Sequence, residues 1–393
     1  MYDRPVLRNQ QPKQEENFMK KMLSCILVIS MMAGLTACSP QSKSADTEST
    51  QAQDNSTETI VSNYTYIEET LNLANNEDQE WTYSSSADAW VLSIVSAVAY
   101  PEIPDEQGVS VCVPGAYVTG IDTDQDGNAD VTEPEDGEAV KGKLVIDYDA
   151  KITSTNGQVY TAATAPVTLN TGAAGYSSST NTLASTTYAA DGYINVACGN
   201  RGKHDTATDA YGYTYYTGDA PSCLVDQKAA ARYVKYNIFL GNIPGSVDYF
   251  VSTGGSGGGA HAAMFAATSN NSDYYAYQVE AGAVGVYETE AGSFVTTVNV
   301  DGTEYSISDG AWGCIAYSAI TSLSEADMAL AFEYYMDTTY DFNTDFQAQL
   351  AEYLSQSYMK YINDQNLTVE ESAVGFDINE DGDTEDTVAL TIE

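Results

Sequence analysis

The feature that most constrains this chain is the run Thr253-Gly254-Gly255-Ser256-Gly257-Gly258-Gly259. It lies between an apolar strand pattern over Tyr249 to Thr253 and an Ala-rich helix pattern from about Gly258 to Thr268. A strand that turns at once into a helix brings two backbones so close that only small residues fit two positions before and after the apex. Gly254 and Gly258 hold those positions around Ser256, giving G-x-S-x-G. The free N–H groups of the helix start face the apex, so the spacing marks Ser256 as a candidate nucleophile and the Gly257 N–H as a candidate oxyanion donor. A phosphate cradle fits less well, because the run has neither the Lys-Ser/Thr of a P-loop nor the G-x-G-x-x-G register. A flexible linker would not lie between a clean strand and an Ala-rich helix.

Around this turn, short apolar runs bounded by Gly, Pro, Asn or Asp predict strands over Val109 to Val113, Lys143 to Tyr148, Pro166 to Asn170, Tyr193 to Ala197 and Gly313 to Ser318. Ile67, Leu71 and Ala74 predict a short helix between Ile60 and Ala74. A longer one is predicted from Ser222 to Asn237, with Val225, Ala229, Tyr233 and Tyr236 on one face and Lys228, Arg232 and Lys235 on the other. Further helices are expected from near Ser324, where Ser322 and Glu325 have capping-box spacing, and from Asp345 to Asp364. Strands alternating with helices argue for an α/β domain around a mostly parallel sheet. No internal repeat is present.

The chain carries 15 Lys+Arg against 56 Asp+Glu, a formal charge of −41. That excludes nucleic acid as a partner, since phosphate binding needs a basic footprint. A hydrophobic fraction of 43% with 30 Tyr is too high for a disordered acidic chain. Met19-Lys20-Lys21, the apolar stretch Met22 to Leu35 and Leu35-Thr36-Ala37-Cys38 have the layout of a secretory signal, too short to span a membrane. Its end resembles a bacterial lipobox, in which Cys38 is acylated. The expected organisation is therefore a start-site over-extension at 1–18, a lipoprotein signal at 19–37 and a Ser/Thr/Asp-rich linker at 38–59. A folded domain follows at 60–322, with an acidic insertion at 121–137, and then a partial lid and acidic tail at 323–393. The expected location is the outer face of a cell membrane, with the lipid as the only membrane contact. The remaining cysteines, Cys112, Cys198, Cys223 and Cys314, lack zinc spacing and leave open two disulfides or four small buried hydrophobes.

Several segments in order carry a family resemblance. They are Gly199-Asn200-Arg201-Gly202, Asp219 to Asp226 running on to Arg232-Tyr233, Ile243-Pro244-Gly245, the Ser256 elbow, Ala281-Gly282-Ala283 and Ile320 to Ala329. Together they resemble the bacterial subtype B tannases, α/β-hydrolase esterases related to feruloyl esterases, over roughly Pro104 to Tyr335. The resemblance implies an α/β-hydrolase fold with a partial helical lid, lacking the C-terminal strands. It implies Ser256 as the nucleophile on a galloyl or similar phenolic ester, with oxyanion N–H groups from Gly257 and from Gly172 and Ala173 in the loop after the Pro166 strand. No cofactor is implied for catalysis.

That family orders its triad as Ser, then Asp, then His late in the chain. The two His here are His204 and His261. His261, five residues past Ser256 on the elbow helix, points off the apex and reads as a packing residue, and His204 reads as a loop residue. The expectation is a chain truncated at its C-terminus or a member without catalysis. The alternative function is a calcium-stabilised surface lipoprotein that holds an aromatic or glycan ligand without turnover.

Calcium is expected from Asp122, Asp124, Asp126, Asn128, Asp130 and Glu133, which fit D-x-D-x-D-G-x5-E throughout. Asp377, Asn379, Asp381 and Asp383 begin the same way, but Val388 stands at the closing twelfth position, so the closing carboxylate is absent unless Asp386 swings in, leaving calcium and a plain acidic turn both open.

Overall fold

The structure is a computed structural model and describes residues 59–76, 79–180, 183–320, 323–337 and 339–392. These residues belong to one compact unit, Thr57–Glu393. The expected signal segment and Cys38, the linker up to residue 58 and the Ser322 cap lie outside the described residues. No helix among the described residues is long and apolar enough to cross a membrane.

A nine-stranded sheet organises the unit. Its strands are β1 (Glu80–Ser84), β2 (Ala89–Leu92), β3 (Val95–Ser96), β4 (Gly108–Pro114), β5 (Ala139–Lys141), β6 (Val167–Thr171), β7 (Ile194–Cys198), β8 (Phe250–Gly255) and β9 (Gly313–Tyr317). The spatial order is β9-β8-β6-β7-β4-β2-β1-β5, with β3 also on β4. The sheet is mixed, not mostly parallel. β7, β6, β8 and β9 run parallel, and the rest pair antiparallel. The parallel half follows from long crossover connections, whereas β1 and β2 are joined by a tight turn that only an antiparallel pair permits. Every residue of β4 is buried at the join, where Val109, Val111 and Val113 meet Leu92, Leu169 and Val196 in the core.

Apart from the four-residue Glu371–Val374, the helices among the described residues are α1 (Tyr64–Leu71), α2 (Ser222–Phe239), α3 (Gly257–Ala267), α4 (Tyr275–Ala281), α5 (Leu323–Met336) and α6 (Asp345–Asp364). Ile67 and Leu71 of α1 are buried as their spacing predicts. Asn237 ties α1 to α2, accepting the Leu73 N–H at 2.8 Å and donating to Leu71 O at 3.0 Å. After β9, α5 and α6 pack on one another, with Phe332 and Tyr358 ring centroids 5.2 Å apart.

Two expectations change. Lys143 to Tyr148 forms a strand, Lys143–Ile146, but it pairs with Val118–Asp122 in a separate ribbon and not in the main sheet. The basic stripe of α2 does not face solvent, since Lys228, Arg232 and Lys235 are all buried. The segment between α3 and β9 covers that face and offers oxygens to it. Lys228 Nζ donates to Thr268 O at 2.7 Å and Lys235 Nζ to Gly310 O at 2.7 Å. Arg232 donates to Gln278 Oε1 at 2.7 Å and Gly285 O at 2.8 Å. Asp309, wholly buried, pairs with Lys228 at 3.4 Å and Arg232 at 3.3 Å. All four free cysteines are unbridged, with Cys112, Cys198 and Cys223 buried and Cys314 exposed, so the buried-hydrophobe reading holds for three of them.

Candidate active site

The register of the parallel strands aligns Thr171, Cys198 and Gly254 side by side, so the loops that follow β6, β7 and β8 share one edge of the sheet. Ligands in open α/β sheets bind at that carboxyl edge. Ser256 sits there between β8 and α3 with φ 56° and ψ −121°. Positive φ in a non-glycine residue costs about 1–3 kcal/mol and persists only where neighbours hold it. Here the Ser256 N–H donates to Tyr317 O at 2.9 Å, and Ser256 O accepts from Ala260 at 3.0 Å and Ile320 at 3.3 Å. The backbone is thereby pinned from α3 and from the segment after β9, while Ser256 itself stays exposed.

The two flanking glycines are needed for the reason given by their spacing. A Cβ on Gly254 would overlap the Gly258 carbonyl, and one on Gly258 would overlap the Thr171 carbonyl oxygen. Gly257, the first residue of α3, lies against the loop after β6. A Cβ there would come within 2.5 Å of Ala173 O, 3.0 Å of Tyr176 N and 3.1 Å of Gly175 N. Ser256, Gly257 and the Gly172–Ala173 loop are therefore brought together, and the first turn of α3 leaves N–H groups free of intrahelical partners. Sheet and elbow together have the arrangement of the α/β-hydrolase fold.

Neither His is hydrogen-bonded to Ser256 among the described residues. His261, one turn beyond Gly257, meets Tyr176 edge-on, with ring centroids 5.6 Å apart and planes at 70°. Burial lowers its pKa below the usual 6.5, and its Nδ1 is buried without a hydrogen-bond partner. His204 is exposed in the turn after Arg201.

A polar network that motif reading did not reach lies further along the same edge. Arg201, from the loop after β7, pairs with Glu102 at 2.6 Å and with the buried Asp226 of α2 at 2.9 Å. Asp226 also accepts from the Arg201 N–H at 2.9 Å and Gln107 Nε2 at 3.0 Å. Glu106, 9% exposed, has its Oε2 buried without a partner. Burial, with Asp205 and Asp226 nearby, pushes its carboxyl up to about 7. A cavity of about 440 Å³ opens here, lined by Tyr100, Glu102, Arg201, Tyr216, Thr217 and Tyr277, and Ser256 is not part of its wall. Arg201 and Asp226 do fall within the segments that carried the family resemblance, which was the one available signal for them.

Of the two acidic loops, the first brings Asp122, Asp124 and Asp126 together, with ligand oxygens within 4.8 Å of one another. Asp130 instead accepts from Thr123 N at 2.8 Å and Thr123 Oγ1 at 2.6 Å, and Asn128 donates to Asp126 at 2.9 Å. Glu133, exposed, is outside the group. In the second loop Asp383 is gathered with Glu371 and Asp386, while Asp377 accepts backbone N–H groups of Asp381 at 3.2 Å and Gly382 at 3.0 Å. Asn379 Oδ1 accepts the Asp381 N–H at 3.0 Å, and Asp381 Oδ1 accepts the Asp383 N–H at 3.2 Å.

No protein-family model and no curated protein sequence matches this chain. Among solved structures, tannase from Fusobacterium nucleatum superposes with a TM-score of 0.50 at 21% identity, covering 75% of this chain and 57% of that one. Tannin acyl hydrolase from Lactobacillus plantarum gives 0.47 at 24% identity, over 72% of this chain and 52% of that one. A tannin acyl hydrolase solved in complex with ethyl gallate gives 0.47 at 23% identity, over 72% and 52%. The chain thus shares its fold with the tannases and spans about half the length of these structures.

Proposed function

We propose that the chain acts as a serine esterase of the tannase type on galloyl or related phenolic esters. The observation that carries the reading is Ser256 at φ 56° on a strand-to-helix elbow, with Gly254 and Gly258 in the close approaches the elbow requires. Ser256 Oγ would attack the ester carbonyl carbon, and the carbonyl oxygen would become an oxyanion held by the N–H of Gly257 and of Gly172 or Ala173. Collapse would break the ester C–O bond, with the serine proton passing to the departing alkoxide to give the alcohol, and leave an acyl-serine that water would cleave to the free acid and serine. The substrate class rests on the motif resemblance.

Serine is a weak nucleophile without a base, and neither His204 nor His261 is hydrogen-bonded to it among the described residues. That observation favours a second reading, a site that binds a phenolic ester without turnover. Incubation with methyl gallate separates the two. Release of gallic acid that Ser256→Ala abolishes supports the esterase, saturable binding without release supports the binder, and neither binding nor release removes both.

Two further parts of the proposal concern setting. Cys38 would carry a lipid that holds the folded part outside the cell membrane, which radiolabelled palmitate incorporation lost in Cys38→Ser would support and unchanged incorporation would refute. Asp122, Asp124 and Asp126 would hold a structural calcium, and a melting temperature unaffected by chelator in any variant would refute it.

A further inference from the structure

The acidic loop from Asp377 lacks a closing carboxylate in its own sequence, because its twelfth position is Val388. The fold brings one from outside the loop. Thr368–Glu370 pairs antiparallel with Thr387–Ala389, and the register Glu370↔Thr387 carries the next residue, Glu371, to the end of the loop. There the Glu371 N–H donates to Asp386 O at 2.9 Å. Glu371 Oε1 accepts the N–H of Ile378 at 2.6 Å and of Asn379 at 3.1 Å, which fastens the carboxylate to the loop backbone. The residue is 0% exposed, and its second oxygen, Oε2, is buried with no hydrogen-bond partner. One ligand oxygen from each of Glu371, Asp383 and Asp386 lies within 4.8 Å of the others.

Three carboxylates this close repel one another, and a buried carboxylate oxygen with no donor is held at a large desolvation cost. A hard cation resolves both. Oxygens about 2.3–2.6 Å from a common calcium ion stand at mutual separations of this size. Gly382, at φ 106°, makes the bend that folds Asp383 back toward the ribbon. We infer that Glu371, Asp383 and Asp386 form a Ca²⁺ site in which Glu371, from the turn preceding the loop, supplies the closing carboxylate that Val388 cannot. This site is independent of the esterase reading.

Hydrogen exchange read by mass spectrometry on the full chain localises the test. Calcium alone, at millimolar concentration, is expected to slow exchange over residues 371–389 relative to chelator. Glu371→Gln keeps the Oε1 acceptor for Ile378 and Asn379 while removing the charge. It is expected to raise the calcium concentration for half-protection at least about tenfold without changing exchange in chelator. Asp383→Asn is expected to do the same and decides the matter if Glu371→Gln loosens the segment by itself. Exchange over 371–389 that calcium leaves unchanged, equal protection in wild type and both variants, or equal protection by magnesium would overturn the inference.

Discussion

Tyr176 stands edge-on to His261, with ring centroids 5.6 Å apart, and both Tyr176 Oη and His261 Nδ1 are buried without hydrogen-bond partners. The contact joins the loop after β6 to the elbow helix α3, so it holds the proposed oxyanion donors of Gly172 and Ala173 against Gly257. His261 packs there and is not hydrogen-bonded to Ser256 among the described residues. Replacing an unpartnered buried polar group with an apolar one of similar shape removes its desolvation cost, about 1 kcal/mol. His261→Phe is therefore expected to raise the melting temperature slightly at pH 6. It should also leave any methyl gallate turnover within about threefold, whereas loss of a general base costs at least about a hundredfold.

The strain at Ser256 is open to a stability test. Glycine adopts φ 56° without penalty, so Ser256→Gly should stabilise the chain by about 1 kcal/mol, within the range for such backbone strain, while removing the nucleophile. Gly258→Ala should destabilise it, because the added Cβ overlaps the Thr171 carbonyl oxygen. Chemical denaturation of the two variants beside wild type reads both signs.

Glu106 and His261 pull the pH dependence of stability in opposite directions. The Glu106 carboxyl titrates near 7 in the folded chain against an ordinary 4.5. The folded state therefore holds that proton longer, and the contribution is full below 4.5 and lost as pH rises through 7. The His261 pKa is lowered from 6.5, so its contribution is full above 6.5 and lost as pH falls through the folded value. Calorimetric melting between pH 5 and 8 is expected to show Glu106→Gln gaining on wild type toward pH 8, and His261→Phe gaining toward pH 5.

Asp309 is buried between Lys228 and Arg232. Removing one partner of a buried ion pair leaves an uncompensated charge, typically about 3–5 kcal/mol of destabilisation. Asp309→Asn, which takes the shared carboxylate from both Lys228 and Arg232, should fall in that range, and Arg232→Met supplies the second arm of the comparison. A double-mutant cycle by urea denaturation measures the coupling.

Much of the fold was legible because β4 and β7 are buried on both faces and so read as apolar runs, while β6 and β8 alternate buried with more open residues, all with turn residues at their ends. The elbow was legible because its geometry admits only small residues at Gly254 and Gly258. The pair β1 and β2 was missed, since strands of five and four residues, one mostly polar around Trp81 and the other wholly apolar around Trp90, are too short for a period to emerge. The basic stripe of α2 misled because local amphipathicity cannot show that the chain from Thr268 to Gly310 returns to cover it. Glu371 was invisible as a ligand for a related reason, since only the Glu370↔Thr387 register places it beside Asp386.

The most direct test of the account is acylation of Ser256 by an activated aromatic ester, because a good leaving group lessens the demand for a base. After exposure of the full chain to 4-nitrophenyl benzoate, peptide mass mapping is expected to find one benzoyl adduct, on Ser256, and none at that peptide in Ser256→Ala. Absence of any adduct on Ser256 while other hydroxyls are acylated, or identical adducts in Ser256→Ala, would contradict the assignment of Ser256 as the nucleophile.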